Sequence, residues 1–218
     1  MRLFHLLPAN WAVDDLVRKR LKISFLEDLN DPFEFFSLDT TDPIMHEALI
    51  RTRKDLAQQY GVLCFSRSWA NPVFWSHYAD KHKGIALGFE VPDVAGKPQG
   101  IPITYVNSRS AHSVSDAQDW KPQDMLKLLA TKYEHWRYED EIRFFASIAE
   151  KDQESGLAFV PFSENLILTD VVLGVRCVIE RTQIEEIVKN YLPAVRVVNA
   201  RLDSSSFSVV DKRGRVCS

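Results

Sequence analysis

The sequence predicts a single α+β domain, and three observations support this fold class. Short apolar runs that alternate with polar residues are typical of strands, and longer segments with helical spacing are typical of helices. The two kinds of element follow one another without a regular strand–helix–strand repeat, which argues against a doubly wound sheet. At 218 residues the chain has the length of one domain and is short for two. We therefore expect one α+β domain over residues 1–211, with mixed or antiparallel sheets flanked by helices, and a polar tail over 212–218.

The N-terminal part begins with a short strand, a helix and a second short strand. The pattern predicts these elements at 2–6, 10–20 and 22–25, with Asn10 as a helix cap. The segment Asn30-Asp31-Pro32-Phe33-Glu34 has the chemistry of a turn, because Asn and Asp bond their own backbone and Pro fixes φ.

The middle of the chain carries two helices that open on an acid or amide followed by proline. Asp42-Pro43 starts a helix that Gly61 ends, and Asn71-Pro72 starts a short aromatic helix that reaches Asp80. Strands are predicted over 62–67, 83–91 and 101–106, with a loop rich in Gly, Pro, Ser and Asp within 92–120.

The remaining elements are predicted from apolar alternation and from two helix starts. Pro122 opens one helix, and Thr182-Gln183-Ile184-Glu185 reads as a capping box for another. Strands are predicted over 142–148, 157–162, 166–175, 195–202 and 207–210.

Charge and composition exclude several classes of protein. With 27 basic and 30 acidic residues the net charge is −3, so gross electrostatics would not drive binding to nucleic acid. No apolar run approaches the ~20 residues of a membrane-spanning helix, and we expect no membrane association. The three cysteines, Cys64, Cys177 and Cys217, are widely spaced and suggest neither a disulfide framework nor a metal site, which favours the cytoplasm.

The sequence contains no phosphate-binding GxxxxGK[ST], no GxGxxG, no GxSxG and no HExxH motif. His77 and His82 are five residues apart, so on a helix they would point ~140° away from each other. Solvated or core histidines are therefore the better interpretation, and we predict no metal ligands and no metal cofactor.

The aromatic segment over 71–80 allows two interpretations. Phe74 and Tyr78 share one helical face, as expected of a core helix. Alternatively, Trp75 or Tyr78 forms a platform for a planar ligand ring. The sequence alone does not separate these.

The segment over 133–145 places four acids and two arginines where a helix becomes a strand. If the strand starts at Glu141, then Glu141 and Arg143 share one face, while Ile142 and Phe144 point into the core. One interpretation is a solvated edge with a Glu–Arg pair. Surface pairs of that kind contribute only ~0–1 kcal/mol, so stability alone gives little reason for the cluster. The other interpretation is an unburied Glu141 carboxylate that reaches a bound ligand.

Five short motifs follow one another along the chain: the turn Asn30–Glu34, Cys64–Arg67, Asn71–Pro72 with Trp75–Ala79, His82–Ile85, and Trp136-x-Tyr138-Glu139-x-Glu141-x-Arg143. Taken together, this ordered set resembles a bacterial family, the domain-of-unknown-function family 2971. The resemblance spans residues 2 to about 147, and the residues beyond about 150 carry no recognised motif.

The layout of these motifs resembles the ADP-ribosyltransferase plan, including the toxin type that modifies DNA. The resemblance implies that His5 on an early strand holds a ribose and that Glu141, the catalytic residue, grips the ribose 2′-hydroxyl. It implies that Tyr78 or Trp75 stacks on nicotinamide and that Arg67 or Arg143 holds the pyrophosphate. Three further residues complete the predicted cofactor site: Asn30, Asp31 and His77. The chain lacks the glycine-rich, basic cofactor loop often found in the toxin type.

The resemblance implies an enzyme that consumes NAD as a substrate, either transferring ADP-ribose or hydrolysing NAD. Such a protein would be an effector or toxin of bacterial conflict or phage defence. Its partners would be a macromolecular acceptor, nucleic acid or protein, and an antitoxin or sensor protein. The alternative is a non-enzymatic module that binds a nucleotide or a protein through the same surface rich in Trp, Tyr and Asp. A nuclease is a third alternative, which the lack of a metal cluster in the sequence disfavours.

Overall fold

The computed structural model describes residues 1–92, 99–110, 122–148 and 150–212, without the side chains of 122–124. The described residues do not include parts of the predicted 92–120 loop. They also do not include Cys217 or the predicted tail beyond residue 212. The helices are α1 (Ala9–Arg18), α2 (Pro43–Gln59), α3 (Pro72–Tyr78), α4 (Pro122–Leu129) and α5 (Arg181–Val188), with a 3-10 helix over Glu134–Glu139. The strands are β1 (Arg2–Leu7), β2 (Arg20–Lys22), β3 (Ser24–Phe25), β4 (Tyr60–Ser66), β5 (Ile85–Glu90), β6 (Ile101–Pro102), β7 (Thr104–Val106), β8 (Thr131–Tyr133), β9 (Glu141–Ser147), β10 (Phe159–Pro161), β11 (Ile167–Leu173), β12 (Arg196–Asn199), β13 (Arg201–Leu202) and β14 (Val209–Val210).

One large mixed sheet organises the fold. Its strand order is β12-β11-β5-β1-β4-β9-β6, and β3 pairs with β4 beside this path. All of its pairings are antiparallel except that between β11 and β12. The first strand of the chain therefore lies at the centre, between β4 and β5, and the predicted α+β class with mixed sheets and flanking helices is confirmed.

Both faces of the central strands are covered, which explains why β1 is apolar at neighbouring positions. Leu3 belongs to a core cluster that α1 and α5 cover with residues such as Leu16 and Ile184. Phe4, the next residue, belongs to a second cluster that contains Trp75 of α3. Successive strand residues point to opposite faces, so a central strand buried on both sides needs apolar residues at both.

Helix starts follow local chemistry, though not always at the predicted residue. Asp42 caps α2 as predicted, with its carboxylate accepting from the Ile44 and Met45 backbone N–H groups. The predicted capping box at Thr182 is wrong, because α5 already begins at Arg181 and is capped by Glu180 together with Gln183. The box lies two residues earlier since glutamate, like threonine, can accept from the first-turn backbone.

None of the helices within the described residues combines the length and apolar character needed to cross a lipid bilayer.

Candidate functional site

A pocket of about 470 Å³ opens beside the central strands. Its volume lies within the range of roughly 300–1,000 Å³ that is usual for small-molecule sites. It is bounded by β1, β4 and β9 of the sheet, by α1, by α3 and by the turn at 28–34. The lining residues whose chemistry matters here are His5, Trp11, Asp15, Lys22, Asn30, Glu34, His77, Tyr78, Lys132, Glu139, Glu141 and Arg143.

Arg143 on β9 is the centre of a buried ion-pair network. Its guanidinium binds the Glu34 carboxylate in a two-pronged contact, with Nη2 and Nη1 donating at 2.6 and 2.8 Å. Nε and Nη2 also donate to Glu141 at 2.6 and 3.1 Å, and Nη1 donates to the Leu129 carbonyl at 3.1 Å. These contacts use all five N–H groups of the side chain. Arg143 therefore has no free donor for a phosphate, and its predicted pyrophosphate role does not fit this geometry.

Lys132 on β8 supplies the second buried positive charge. Its Nζ lies 2.6 Å from Glu139, 3.4 Å from Glu141 and 3.4 Å from Glu34. Burial alone would lower the pKa of Lys132, but the negative charges of Glu141, Glu139 and Glu34 outweigh that effect and raise it. Lys132 is therefore charged at neutral pH, and three carboxyl groups surround two fixed cations.

A hydrogen-bond chain leads from the pocket rim to Glu139. The Asn30 side-chain amide donates to the Tyr78 hydroxyl at 2.8 Å, and that hydroxyl donates to Glu139. Burial raises the pKa of Glu139 to about 7, aided by the charge of Glu141 and opposed by Lys132. Glu139 is thus the carboxyl group of the network that can gain or lose a proton near neutral pH.

Glu141 has the opposite electrostatic character. Burial would raise its pKa, but the charges of Arg143 and Lys132 hold that pKa well below its usual range. Its backbone N–H donates to the Tyr105 hydroxyl at 2.9 Å. The shared face of Glu141 and Arg143 is confirmed, whereas the expected unburied carboxylate and the solvated edge are wrong, since Glu141 is only 4% exposed. The burial follows from what covers this face of β9, since Glu34 of the turn and Lys132 of β8 lie against Arg143 and Glu141.

Two histidines line the pocket in different settings. His5 on β1 donates from Nδ1 to the Cys64 carbonyl at 2.8 Å, and burial lowers its pKa, so the ring is neutral at pH 7. His77 at the end of α3 has its Nδ1 2.6 Å from the Tyr138 hydroxyl. Both rings are held in position by these contacts.

Three of the predicted cofactor residues do not line the pocket. Trp75 is 0% exposed and its indole N–H donates to the Trp69 carbonyl at 2.6 Å, so the predicted ring platform is corrected to a core residue. Asp31 is buried and closes the predicted turn by accepting from the Phe33 backbone N–H at 2.9 Å. Arg67 makes a partly exposed pair with Asp140 at 2.5 Å. The pocket does bring together the other predicted residues, namely His5, Asn30, His77, Tyr78, Glu141 and Arg143.

Sequence reasoning missed Glu34, Lys132 and Glu139 as site residues. Glu34 and Glu139 stood within the motifs that carried the family resemblance, so a signal for them existed. Lys132 sits in no recognised motif, and only the three-dimensional structure reveals its three carboxylate neighbours. Among the described residues, no group of three or more His, Cys, Asp or Glu side chains is arranged to hold a metal ion.

Fold and site together define a mixed α+β protein with a buried carboxylate–arginine–lysine network in a small-molecule-sized pocket. Residues 74–144 match the family model described as "Protein of unknown function (DUF2971)". The predicted resemblance to this family is thereby confirmed on that segment, which contains most of α3, the 3-10 helix and the start of β9. Comparison with curated proteins and with solved structures finds no match.

Proposed function

We propose that the chain is an NAD-consuming enzyme of the ADP-ribosyltransferase type, acting as an effector or toxin in bacterial conflict or phage defence. One observation carries this proposal. His5, Tyr78 and Glu141, which come from three distant parts of the chain, line one pocket of suitable volume. The ADP-ribosyltransferase plan, which the layout of the motifs resembles, requires these three residues to lie close together.

The chemistry of the pocket agrees with cleavage of the bond between nicotinamide and ribose. When the C1′–N bond breaks, its electron pair stays with the nicotinamide nitrogen, and positive charge develops on the ribose, as in glycoside cleavage. The oxygen of water or of an acceptor then bonds to C1′. Three glutamates around two cations leave an excess of negative charge when all are ionised. A fixed negative charge stabilises such a transition state more than the ground state.

Glu141 and Glu139 are suited to different parts of this reaction. Arg143 and Lys132 keep Glu141 ionised and fixed, as a group that stabilises ribose charge should be. Burial raises the pKa of Glu139 to about 7, which suits a base that accepts the proton of the attacking water or acceptor. Arg143 is then a positioning residue for Glu141 and does not contact the pyrophosphate.

The alternative is a module that binds a nucleotide or a protein without turnover. It is favoured by the fact that both Glu141 oxygens already contact Arg143 or Lys132 inside the protein. The proposed NAD-consuming enzyme would act on a macromolecular acceptor and have an antitoxin or sensor protein as a partner. Its proposed location is the cytoplasm.

The deciding experiment is incubation of the purified protein with NAD, followed by chromatographic detection of free nicotinamide, with and without nucleic-acid and protein acceptors. The proposal expects nicotinamide release that Glu141→Gln lowers at least ~100-fold. The matched control is Glu134→Gln, the same change at a partly exposed acid of the 3-10 helix that pairs with Arg137 outside the pocket. Saturable NAD binding without nicotinamide release would favour the binding module, and neither binding nor release would overturn both.

A further inference from the structure

The pocket extends to a second end, formed by Trp11 and Asp15 of α1 and by Lys22 of β2. We refer to these three residues as the α1 end. None of them belongs to the carboxylate network or to the motifs that carry the family resemblance.

Asp15 is a buried carboxyl group that lacks a side-chain partner. It is 1% exposed, and neither of its oxygens accepts a well-formed hydrogen bond from the described residues. The backbone N–H of Lys22 lowers the pKa of Asp15, but less than the charge of Arg20 does. The two arginines nearest in sequence make their ion pairs elsewhere, Arg18 with Asp14 and Arg20 with Asp14 and Asp152. Leaving a buried acceptor unsatisfied costs free energy. A ligand that donates to Asp15 would remove this cost.

The surroundings of Asp15 affect its protonation. Burial raises the pKa of Asp15 to about 7, the charge of Asp14 adds to the rise, and Arg20 and Lys22 oppose it. Near neutral pH a fraction of the molecules therefore carries a protonated Asp15. In that form the carboxyl group offers one O–H donor and one acceptor side by side.

Trp11 supplies an aromatic surface beside this carboxyl group. It lies four residues before Asp15 on α1, so both side chains project from the same helical face. Trp11 is 41% exposed although it lines the pocket, which leaves part of its ring free for stacking. The Lys22 ammonium is 5.8 Å from the centre of that ring and adds a positive charge beside the stacking surface.

We infer that the α1 end binds an adenine nucleotide moiety, with the base stacked on Trp11, its amino edge hydrogen-bonded to Asp15 and its phosphate near Lys22. Adenine presents a donor at N6 beside an acceptor at N1, and a carboxyl group with one proton complements both. The choice of adenine rests on the proposed function, since adenosine is the part of NAD away from the reacting bond. The stacking, hydrogen-bonding and charge contacts depend only on Trp11, Asp15 and Lys22 and not on the proposed function.

The test is binding of AMP to the full chain, without any NAD turnover. It is measured by calorimetry and by the quenching of tryptophan fluorescence that Trp11→Ala removes. GMP and purine riboside 5′-monophosphate, which lacks the amino group, are the comparison ligands. We expect AMP to bind at least 10-fold more tightly than either. Asp15→Ala and Trp11→Ala should each weaken AMP binding at least 10-fold. Alanine is the strongest helix former, and removing an unpartnered buried carboxyl group should leave the fold intact.

The matched control is Glu47→Ala, an acid-to-alanine change on α2 at a side chain that is 75% exposed and outside the pocket. It should leave AMP binding unchanged. Unchanged AMP binding by Asp15→Ala, equal binding of purine riboside 5′-monophosphate, or absence of AMP binding would each overturn the inference. Asp15-dependent AMP binding in a protein that releases no nicotinamide would support the inference while the proposed function fails.

Discussion

Arg143 and Glu34 are 109 residues apart in the chain, yet they form a two-pronged ion pair with distances of 2.6 and 2.8 Å. Both side chains are 1% exposed. This contact attaches the turn at 30–34 to strand β9 and so fixes one wall of the pocket to the central sheet. Removing one member of a buried ion pair leaves the other as an uncompensated charge, which is strongly destabilising.

Replacing Arg143 should therefore cost much more stability than replacing an exposed arginine. We expect Arg143→Met to lower the free energy of unfolding by about 3–5 kcal/mol, since it leaves Glu34 and Glu141 without their main partner. Arg67→Met is the control, because its pair with Asp140 is about half exposed and should be worth about 0–1 kcal/mol. Urea unfolding of both variants measures the difference, and similar losses would show that the network does not stabilise the fold.

Glu141 tests the catalytic part of the proposal. Glu141→Gln keeps the size of the side chain and removes its charge, so nicotinamide release should fall at least ~100-fold, or about 2.7 kcal/mol of transition-state stabilisation. Because Glu141 is buried against Arg143, the same change should also lower stability by about 1–3 kcal/mol. Turnover must therefore be compared at a temperature where circular dichroism shows both proteins folded.

Glu139→Gln is unsuitable as a control for Glu141, because Glu139 belongs to the same network through Lys132. Glu134→Gln is the appropriate control and should leave turnover unchanged. Equal losses in Glu141→Gln and Glu134→Gln would remove the catalytic role from Glu141.

Local patterns predicted much of this site, and burial explains what they did not predict. Alternation along β9 correctly placed Glu141 with Arg143 and opposite the core residue Ile142. Alternation does not reveal what covers each face of β9, and here Glu34 of the turn and Lys132 of β8 cover the polar face. The role of Lys132 was not predictable either, because it depends on carboxylates from two other segments meeting around it. Helical spacing could not decide between Trp75 and Tyr78 as the pocket aromatic, because spacing does not show which face of the helix lines the pocket.

The contact between Tyr78 and Glu139 should be visible in the titration of Glu139. The Tyr78 hydroxyl donates to this carboxylate and so lowers a pKa that burial raises to about 7. Tyr78→Phe removes the donor and should move that pKa above 7, because the ionised form loses a hydrogen bond. Carbon-detected NMR titration of labelled glutamate measures the shift without any activity assay.

Asn30→Ala is the matched comparison for Tyr78→Phe. Asn30 donates to the Tyr78 hydroxyl at 2.8 Å and reaches Glu139 only through that hydroxyl, so this change should move the pKa of Glu139 less. An unchanged titration in Tyr78→Phe would mean that the hydroxyl does not support the ionised form of Glu139.

Asp15 should make the stability of the whole chain depend on pH. Burial raises its pKa from the ordinary value of 3.8 to about 7, so between these pH values the folded state binds a proton that the unfolded state releases. Stability falls as pH rises wherever the folded state binds more protons. The contribution of Asp15 is therefore most favourable below about pH 4 and is lost as pH rises through 7. Asp15→Asn cannot titrate and should lack this loss.

The measurement is the free energy of unfolding in urea at pH 5, 6, 7 and 8 for the wild type and for Asp15→Asn. We expect the wild type to lose at least ~1 kcal/mol relative to the variant between pH 5 and pH 8. Glu139, whose pKa is also raised by burial, is present in both proteins, so its contribution cancels in the difference to the extent that the two sites are independent. Parallel pH profiles for the two proteins would show that Asp15 finds a partner in solution. The proposed recognition of adenine, which depends on an unpartnered carboxyl group, would then have no basis.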